Sequence, residues 1–239
     1  MRTGWRPAFD NFLVGASNRT AVVAARSCAA EPGIRFNSFL IHGDSGTGKA
    51  HLLQAMANKM VDSNPMLKAR CMYAEQFVTE ITRACQQVAF ADFMRSYRSL
   101  DLLLIGALQF LATRWQAQAA LQSIFDALHS RHRQMLFTTD VHPWEMQGFG
   151  DSLKSRLGSG LRCAIDLPDI EMRRTMVYQE ARNLGLEIDP QAADSIARLV
   201  RSNARAVKVA VRRLFAYSRF HQIPVSPGVV EAALPKGFL

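Results

Sequence analysis

The stretch Gly43-Asp44-Ser45-Gly46-Thr47-Gly48-Lys49, followed by Ala50, constrains this chain more than any other feature. The spacing G-x-x-x-x-G-K belongs to a loop that surrounds phosphate oxygens with backbone N–H groups and a lysine. Such a loop works between the end of a strand and the start of a helix, where orphan N–H groups and the helix dipole both favour an anion. Both flanks are present: the apolar run Ser38-Phe39-Leu40-Ile41-His42 precedes it, and the helical pattern His51-Leu52-Leu53-Gln54-Ala55-Met56 follows. The motif normally ends in a hydroxyl that holds magnesium. Ala50 has no oxygen to offer, so a site built to hold a nucleotide is not obviously built to cleave one.

The rest of the chain agrees with the α/β fold that this loop demands. Short apolar runs at 39–41, 71–73, 102–105, 135–138 and 163–165 alternate with helical patterns near 49–61, 75–83, 87–97 and 116–131. The alternation predicts a mostly parallel five-stranded sheet with helices on both faces. Nearly continuous apolar strands fit a sheet buried on both sides. After Asp166-Leu167-Pro168-Asp169 the strand signals stop, and 170–184, 190–200, 203–219 and 226–234 read as helices punctuated by Pro190, Pro224 and Pro227. A boundary near Leu167 predicts a nucleotide-binding α/β base over 1–167 and a small all-helical lid over 168–239.

Hydrophobic content of 49% is ample for a core, and no apolar run approaches the roughly 20 residues that cross a bilayer. Met1-Arg2-Thr3-Gly4-Trp5-Arg6 lacks the apolar centre of a secretory signal, so a cytoplasmic address is expected. Cys28, Cys71, Cys85 and Cys163 are scattered and are expected to be buried small apolar residues, with no metal site. The net charge of +9 favours an acidic partner, nucleic acid first. Between Ser195 and Val230 there is no acidic residue, and Arg205, Lys208, Arg212 and Arg219 fall on one face of a helix opposite Val207, Ala210, Val211, Leu214 and Ser218. Ser202 or Asn203 would cap it. Such a stripe is either a solvated face or a surface that follows phosphates and weakens steeply in salt.

Several motifs together resemble the AAA+ module of the DnaA family of bacterial replication initiators. Phe9 to Asn18 is similar to the family's opening box, which implies that Val14 and Asn18 lie near the adenine. Phe39 to Leu53 matches the nucleotide loop and its helix. Tyr97 to Ile105, followed by Gln109-Phe110-Leu111, resembles the second Walker strand and its exit. Thr138-Thr139-Asp140 stands where the family has its first sensor, and Arg201-Ser202-Asn203-Ala204-Arg205 resembles the second, with Arg205 reaching toward phosphates. Leu153-Lys154-Ser155-Arg156 resembles the arginine-finger box, which implies that Arg156 acts in trans on a neighbouring subunit's nucleotide. Asp140 as a turn cap, and Arg156 as an ordinary surface arginine, are the plainer readings.

The departures shape the functional expectation. The family's second Walker motif ends in two acids, one supporting magnesium and one polarising water; here those positions are Gly106 and Ala107. With Ala50, all three oxygen-bearing groups are gone, and each such group is worth about 10²–10³ in rate. The expectation is therefore binding of ATP or ADP, doubtful use of magnesium, and hydrolysis near background. The resemblance implies DnaA or another AAA+ subunit as partner, in replication initiation or its regulation. The family's single-strand contacts map to Thr82, Arg114 and Gln116, of which Arg114 keeps the charge; with Lys208 and Arg212 it is the candidate nucleic-acid contact. The family's duplex-reading domain has no counterpart before the chain stops at Leu239, so a lone module like the Hda-type regulators is expected. Those carry a clamp-binding N-terminal segment, and nothing in Met1 to Phe9 supports a sliding-clamp partner. The alternatives are a single-strand-binding module with a vestigial nucleotide site, and an active ATPase of the helicase-loader type.

Overall fold

A computed structural model describes residues 6–234, so the N-terminal clamp question and the chain end at Leu239 lie outside the described residues. The described chain forms two compact units. The first comprises the segments up to Phe12, Thr20–Gly43 and Lys49–Ile165; the second comprises Leu13–Arg19, Asp44–Gly48 and the chain from Asp166 onward. The second unit thus takes in two short upstream segments that a linear division at Leu167 does not show.

The first unit holds helices α1 (Arg19–Ala30), α2 (Lys49–Ser63), α3 (Ala74–Gln86), α4 (Phe90–Arg98), α5 (Trp115–His129) and α6 (Asp151–Ser159). They surround strands β1 (Ser38–His42), β2 (Ala69–Tyr73), β3 (Leu102–Gly106), β4 (Gln134–Thr139) and β5 (Leu161–Ala164), which form one parallel sheet in the order β2-β3-β4-β1-β5. Strand side chains alternate between faces. Leu40, Leu103, Ile105, Met135 and Phe137 join Phe77, Tyr97, Leu121 and Phe125 of α3, α4 and α5 in one core layer. Phe39, Ile41, Leu102, Leu104 and Leu136 join α1 and α2 in the other. Each fully buried large side chain contributes about 1.5–3 kcal/mol relative to exposure. β1 lies inside the sheet between β4 and β5, so the loop that leaves it starts from a rigid base.

Cys28 and Cys163 are buried as expected, whereas Cys71 and Cys85 are exposed, which corrects the expectation for that pair; all four are free thiols. Cys71 lies on an edge strand and Cys85 in the last turn of α3, on its outward side, so neither faces a second layer.

In the second unit, α7 (Ile170–Asn183), α8 (Pro190–Leu199), α9 (Ala204–His221) and α10 (Pro227–Ala233) pack around Val177, Ile196, Val207, Val211 and Leu214. Capping side chains start three of them. Asp169 accepts from the Met172 N–H, Asp189 from the Gln191 and Ala192 N–H groups, and Asn203 from the Ala206 N–H. Asn203, not Ser202, is the cap of the basic helix.

Candidate nucleotide site and basic surfaces

The loop after β1 has the backbone that its glycines permit. Gly43, Gly46 and Gly48 have φ of 142°, 78° and 107°, a region that side chains rarely enter. Two of them are also tight. A Cβ on Gly43 would stand 2.1 Å from the Ile165 carbonyl oxygen, and one on Gly46 would stand 2.8 Å from the Asn203 side chain. The Thr47 hydroxyl donates to the Asp44 carbonyl at 2.9 Å and closes the turn from inside. Ser45 and Asp44 are exposed on it.

Lys49 opens α2 and is only 7% exposed. Its ammonium donates to the Gly43 carbonyl at 2.6 Å and lies 2.8 Å from a carboxylate oxygen of Asp140, just past β4. The other Asp140 oxygen accepts from the Gln109 amide at 2.7 Å. Asp140 is therefore the counter-charge of the loop lysine. It is not a turn cap, since the turn beginning at Pro143 has no side-chain cap bond.

The end of β3 carries no carboxylate. Gly106 pairs with Tyr73 across β2 and β3, and a Cβ on Gly106 would meet the Tyr73 ring at 3.1 Å. Ala107 is left-handed (φ 58°, ψ 52°), and its N–H donates to the Thr138 hydroxyl at 2.9 Å. Magnesium demands a near-octahedral set of oxygens. Ala50, Gly106 and Ala107 supply none, and the carboxylate of Asp140 already serves Lys49 and Gln109. Among the described residues no group of three or more His, Cys, Asp or Glu could hold a metal ion. The donor set does not fit magnesium.

In the second unit, Asn18 is buried and shapes its own loop: its Oδ1 accepts from the Gly15 N–H at 3.0 Å, and its amide donates to the Leu13 carbonyl at 2.9 Å. Val14, 44% exposed, is the apolar group that this loop presents. Gly46 abuts Asn203, and exposed Arg205 is the second residue of α9.

Two of the remaining candidate arginines are held by carboxylates. Arg156 is bound bidentately by Asp126 of α5, at 2.6 and 2.9 Å, and also donates to Ser152. That pairing holds its guanidinium charged, raised by the Asp126 hydrogen bond. Arg212 gives its Nε–H to Glu180, a buried carboxylate on α7, at 2.6 Å. Arg114, the residue before α5, and Lys208 are exposed. Asp126, Glu180 and the Gln109 bond to Asp140 are absent from the sequence expectations. No spacing signals them, because the partners are 30 or more residues apart.

The strand order, the glycine loop leaving a central strand and the four-helix second unit define an AAA+ P-loop module. The family model of the bacterial DnaA ATPase domain matches residues 5–164. The chromosomal replication initiator protein DnaA of Burkholderia multivorans is 38% identical over 226 residues, which are 95% of this chain and 43% of that protein. Domain III of the Thermotoga maritima DnaA superposes with a TM-score of 0.88 at 29% identity, covering 95% of both chains. A replication initiator DnaA bound to AMPPCP and single-stranded DNA superposes with a TM-score of 0.81 at 25% identity, over 90% of this chain and 68% of that one. This chain belongs to the bacterial DnaA ATPase-domain family, and it spans less than half the length of the curated relatives it matches. No helix among the described residues is long and apolar enough to cross a membrane.

Proposed function

We propose that this protein binds ATP or ADP through a metal-poor P-loop and acts in the initiation of chromosomal replication or its regulation, with little or no hydrolysis of its own. The observation that carries the reading is the pairing of Lys49 with Asp140 beside positions that offer no oxygen to a metal. The amides of residues 43–50 and the Lys49 ammonium would hold the phosphates, and Val14 for the adenine and Arg205 for a phosphate are contacts that the family resemblance implies. A bound nucleotide supplies a charged phosphate chain, and what this chain supplies is a preformed cradle and one lysine. Phosphoryl transfer depends on charge stabilisation by metal ions and a positioned base, and the residues for both are missing here. The relative solved with AMPPCP supports binding at this type of loop.

The partner in this reading is DnaA or another AAA+ subunit, with Arg156 offered to that subunit's nucleotide. The pair with Asp126 then has to open, at a cost of about 1 kcal/mol or less for so exposed a bridge. Calorimetric titration with ATP and ADP, each with and without magnesium, tests the binding. Heat that is indifferent to magnesium and lost in Lys49→Ala is expected, and brisk magnesium-dependent turnover refutes the reading. Phosphate release from ATP-loaded DnaA on mixing tests the finger; no acceleration, with Arg156→Ala indistinguishable, ends that part.

The exposed cations Arg114 and Lys208 and the net charge of +9 favour a second reading, in which single-stranded nucleic acid binds and the nucleotide loop is vestigial. It requires salt-sensitive retention of an oligonucleotide that ignores both ATP and Lys49→Ala.

A further inference from the structure

The first unit carries a groove of about 1010 Å³ along α4 and α5 that none of the nucleotide-site residues line. Its apolar lining is Phe90, Ala91 and Met94 from α4, Ala119 and Ala120 from α5, and Cys85 from α3. Met94 and Ala120 are the outer surface of the core, while Phe90 and Ala119 are exposed. A thioether and short aliphatic side chains make a floor that adapts to the shape of an apolar guest.

The rim is cationic. Arg95, Arg98 and Arg131 line it, and all three are exposed. Arg95 pairs with its neighbour Asp92 at 3.0 Å. The other two are fixed by neutral oxygens. Arg98 donates to the Ser123 hydroxyl at 2.6 Å, and Arg131 donates to the Arg98 backbone carbonyl at 2.6 Å. Neither has a carboxylate partner among the described residues. A guanidinium carries five donors in a rigid fork, so each arginine is held in place with most of its donors and its whole charge unspent. Two aimed, uncompensated cations beside an apolar trough call for a guest that is apolar on one face and acidic on the flank.

We propose that this groove docks an acidic amphipathic helix from a partner protein. Such a helix places apolar side chains at i, i+3, i+4 and i+7 on the floor and sets Asp or Glu against Arg98 and Arg131. A single nucleic-acid strand would also satisfy the arginines, and Gln116, a position mapped to the family's single-strand contacts, lines the groove, but such sites combine the charge with aromatic platforms on which bases stack. The groove offers Met94 and three alanines, and Phe90 already stacks on Phe93 with ring centroids 6.2 Å apart. The groove's volume is at the upper end of small-molecule sites, which fits an elongated peptide better than a compact ligand.

The test pans a displayed library of short random peptides on the whole protein, and in parallel on Ala119→Trp, which fills the trough from an exposed helix position without entering the core. Enrichment of net-negative sequences with apolar spacing of three and four, absent on the filled variant, is the expected result. The tightest enriched peptide is then titrated by fluorescence polarisation. Arg98→Glu should weaken it roughly tenfold, with the loss shrinking as salt rises. No negative enrichment, or enrichment that survives Ala119→Trp, overturns the proposal. So does a labelled oligothymidylate whose binding falls with Arg98→Glu and Ala119→Trp while the peptide's does not, because the groove then belongs to nucleic acid.

Discussion

Removing one negative charge should make this loop a better nucleotide binder. The carboxylate of Asp140 lies 2.8 Å from the Lys49 ammonium, and its side chain is 36% exposed. Any phosphate that engages Lys49 has to share the lysine with that carboxylate, and residues 50, 106 and 107 offer no side-chain oxygen to a metal. Unit charges about 4 Å apart interact by about 4 kcal/mol at an effective dielectric of about 20. Solvent reaching Asp140 cuts that, and a charge-assisted hydrogen bond is worth about 1.5–3 kcal/mol net. Asp140→Asn keeps an amide oxygen near Lys49 and Gln109 but drops the charge, so about 1.4 kcal/mol of opposition is relieved, or about tenfold in Kd. Titration of ADP without magnesium into the wild type, Asp140→Asn and Asp140→Asn with Lys49→Ala is the assay. The gain should narrow in high salt and vanish without the lysine. If Asp140→Asn binds ADP no tighter than the wild type while melting normally, the carboxylate does not oppose phosphate and the counter-charge reasoning is wrong.

Asn203 both caps α9 and touches Gly46, so Asn203→Ala should cost about 1 kcal/mol, a fall of a few degrees in Tm, with Asn203→Asp retaining most of it. The thiols should label in a fixed order. Cys85 is exposed and should react first with iodoacetamide, with mass spectrometry reading the sites. Cys28 is pushed up from 9.0 to about 11, by burial first and by Cys163 second, and should react last. Below pH 9 folded and unfolded chains both keep that proton. Between about 9 and 11 the unfolded chain loses it first, so stability falls with rising pH, and Cys28→Ala should flatten that part of the denaturation profile.

The parallel sheet and the four lid helices are legible because their signals are local: apolar runs of strand length, and helical stripes bounded by Asp169, Asp189, Asn203 and proline. α1 and α6 are harder to read. α1 buries Ala21, Val22, Ala25, Cys28 and Ala29, mostly short side chains that barely raise an apolar stripe above its background. α6 is nine residues long, buries only Leu153 and Leu157, and starts after a glycine with no side-chain cap. The glycine loop and its lysine announce themselves through spacing. What Lys49 meets does not, because Asp140 arrives from another strand and Gln109 from the turn after a third. Tyr73 filling the space beside Gly106 is likewise a property of strand register, which no single motif reveals.

Periodicity alone makes Arg212 one more cation on the α9 stripe, and the structure pairs it with a buried carboxylate. Its partner Glu180 is 4% exposed, and a buried carboxylate without a partner is costly. Breaking a fully buried pair costs about 3–5 kcal/mol. The Arg212 side chain is 65% exposed, so water reaches the bridge, and about 1–2 kcal/mol is the expected cost of Arg212→Ala. Adding Glu180→Gln should recover part of it, since the stranded charge is then gone. Lys208→Ala, on the same face, should instead lower oligonucleotide retention and reduce the salt slope by about one. Thermal melts and salt-dependent oligonucleotide titrations on the three variants decide the matter. Arg212→Ala that melts like the wild type yet loses oligonucleotide as Lys208→Ala does would show that the arginine serves a ligand and not Glu180.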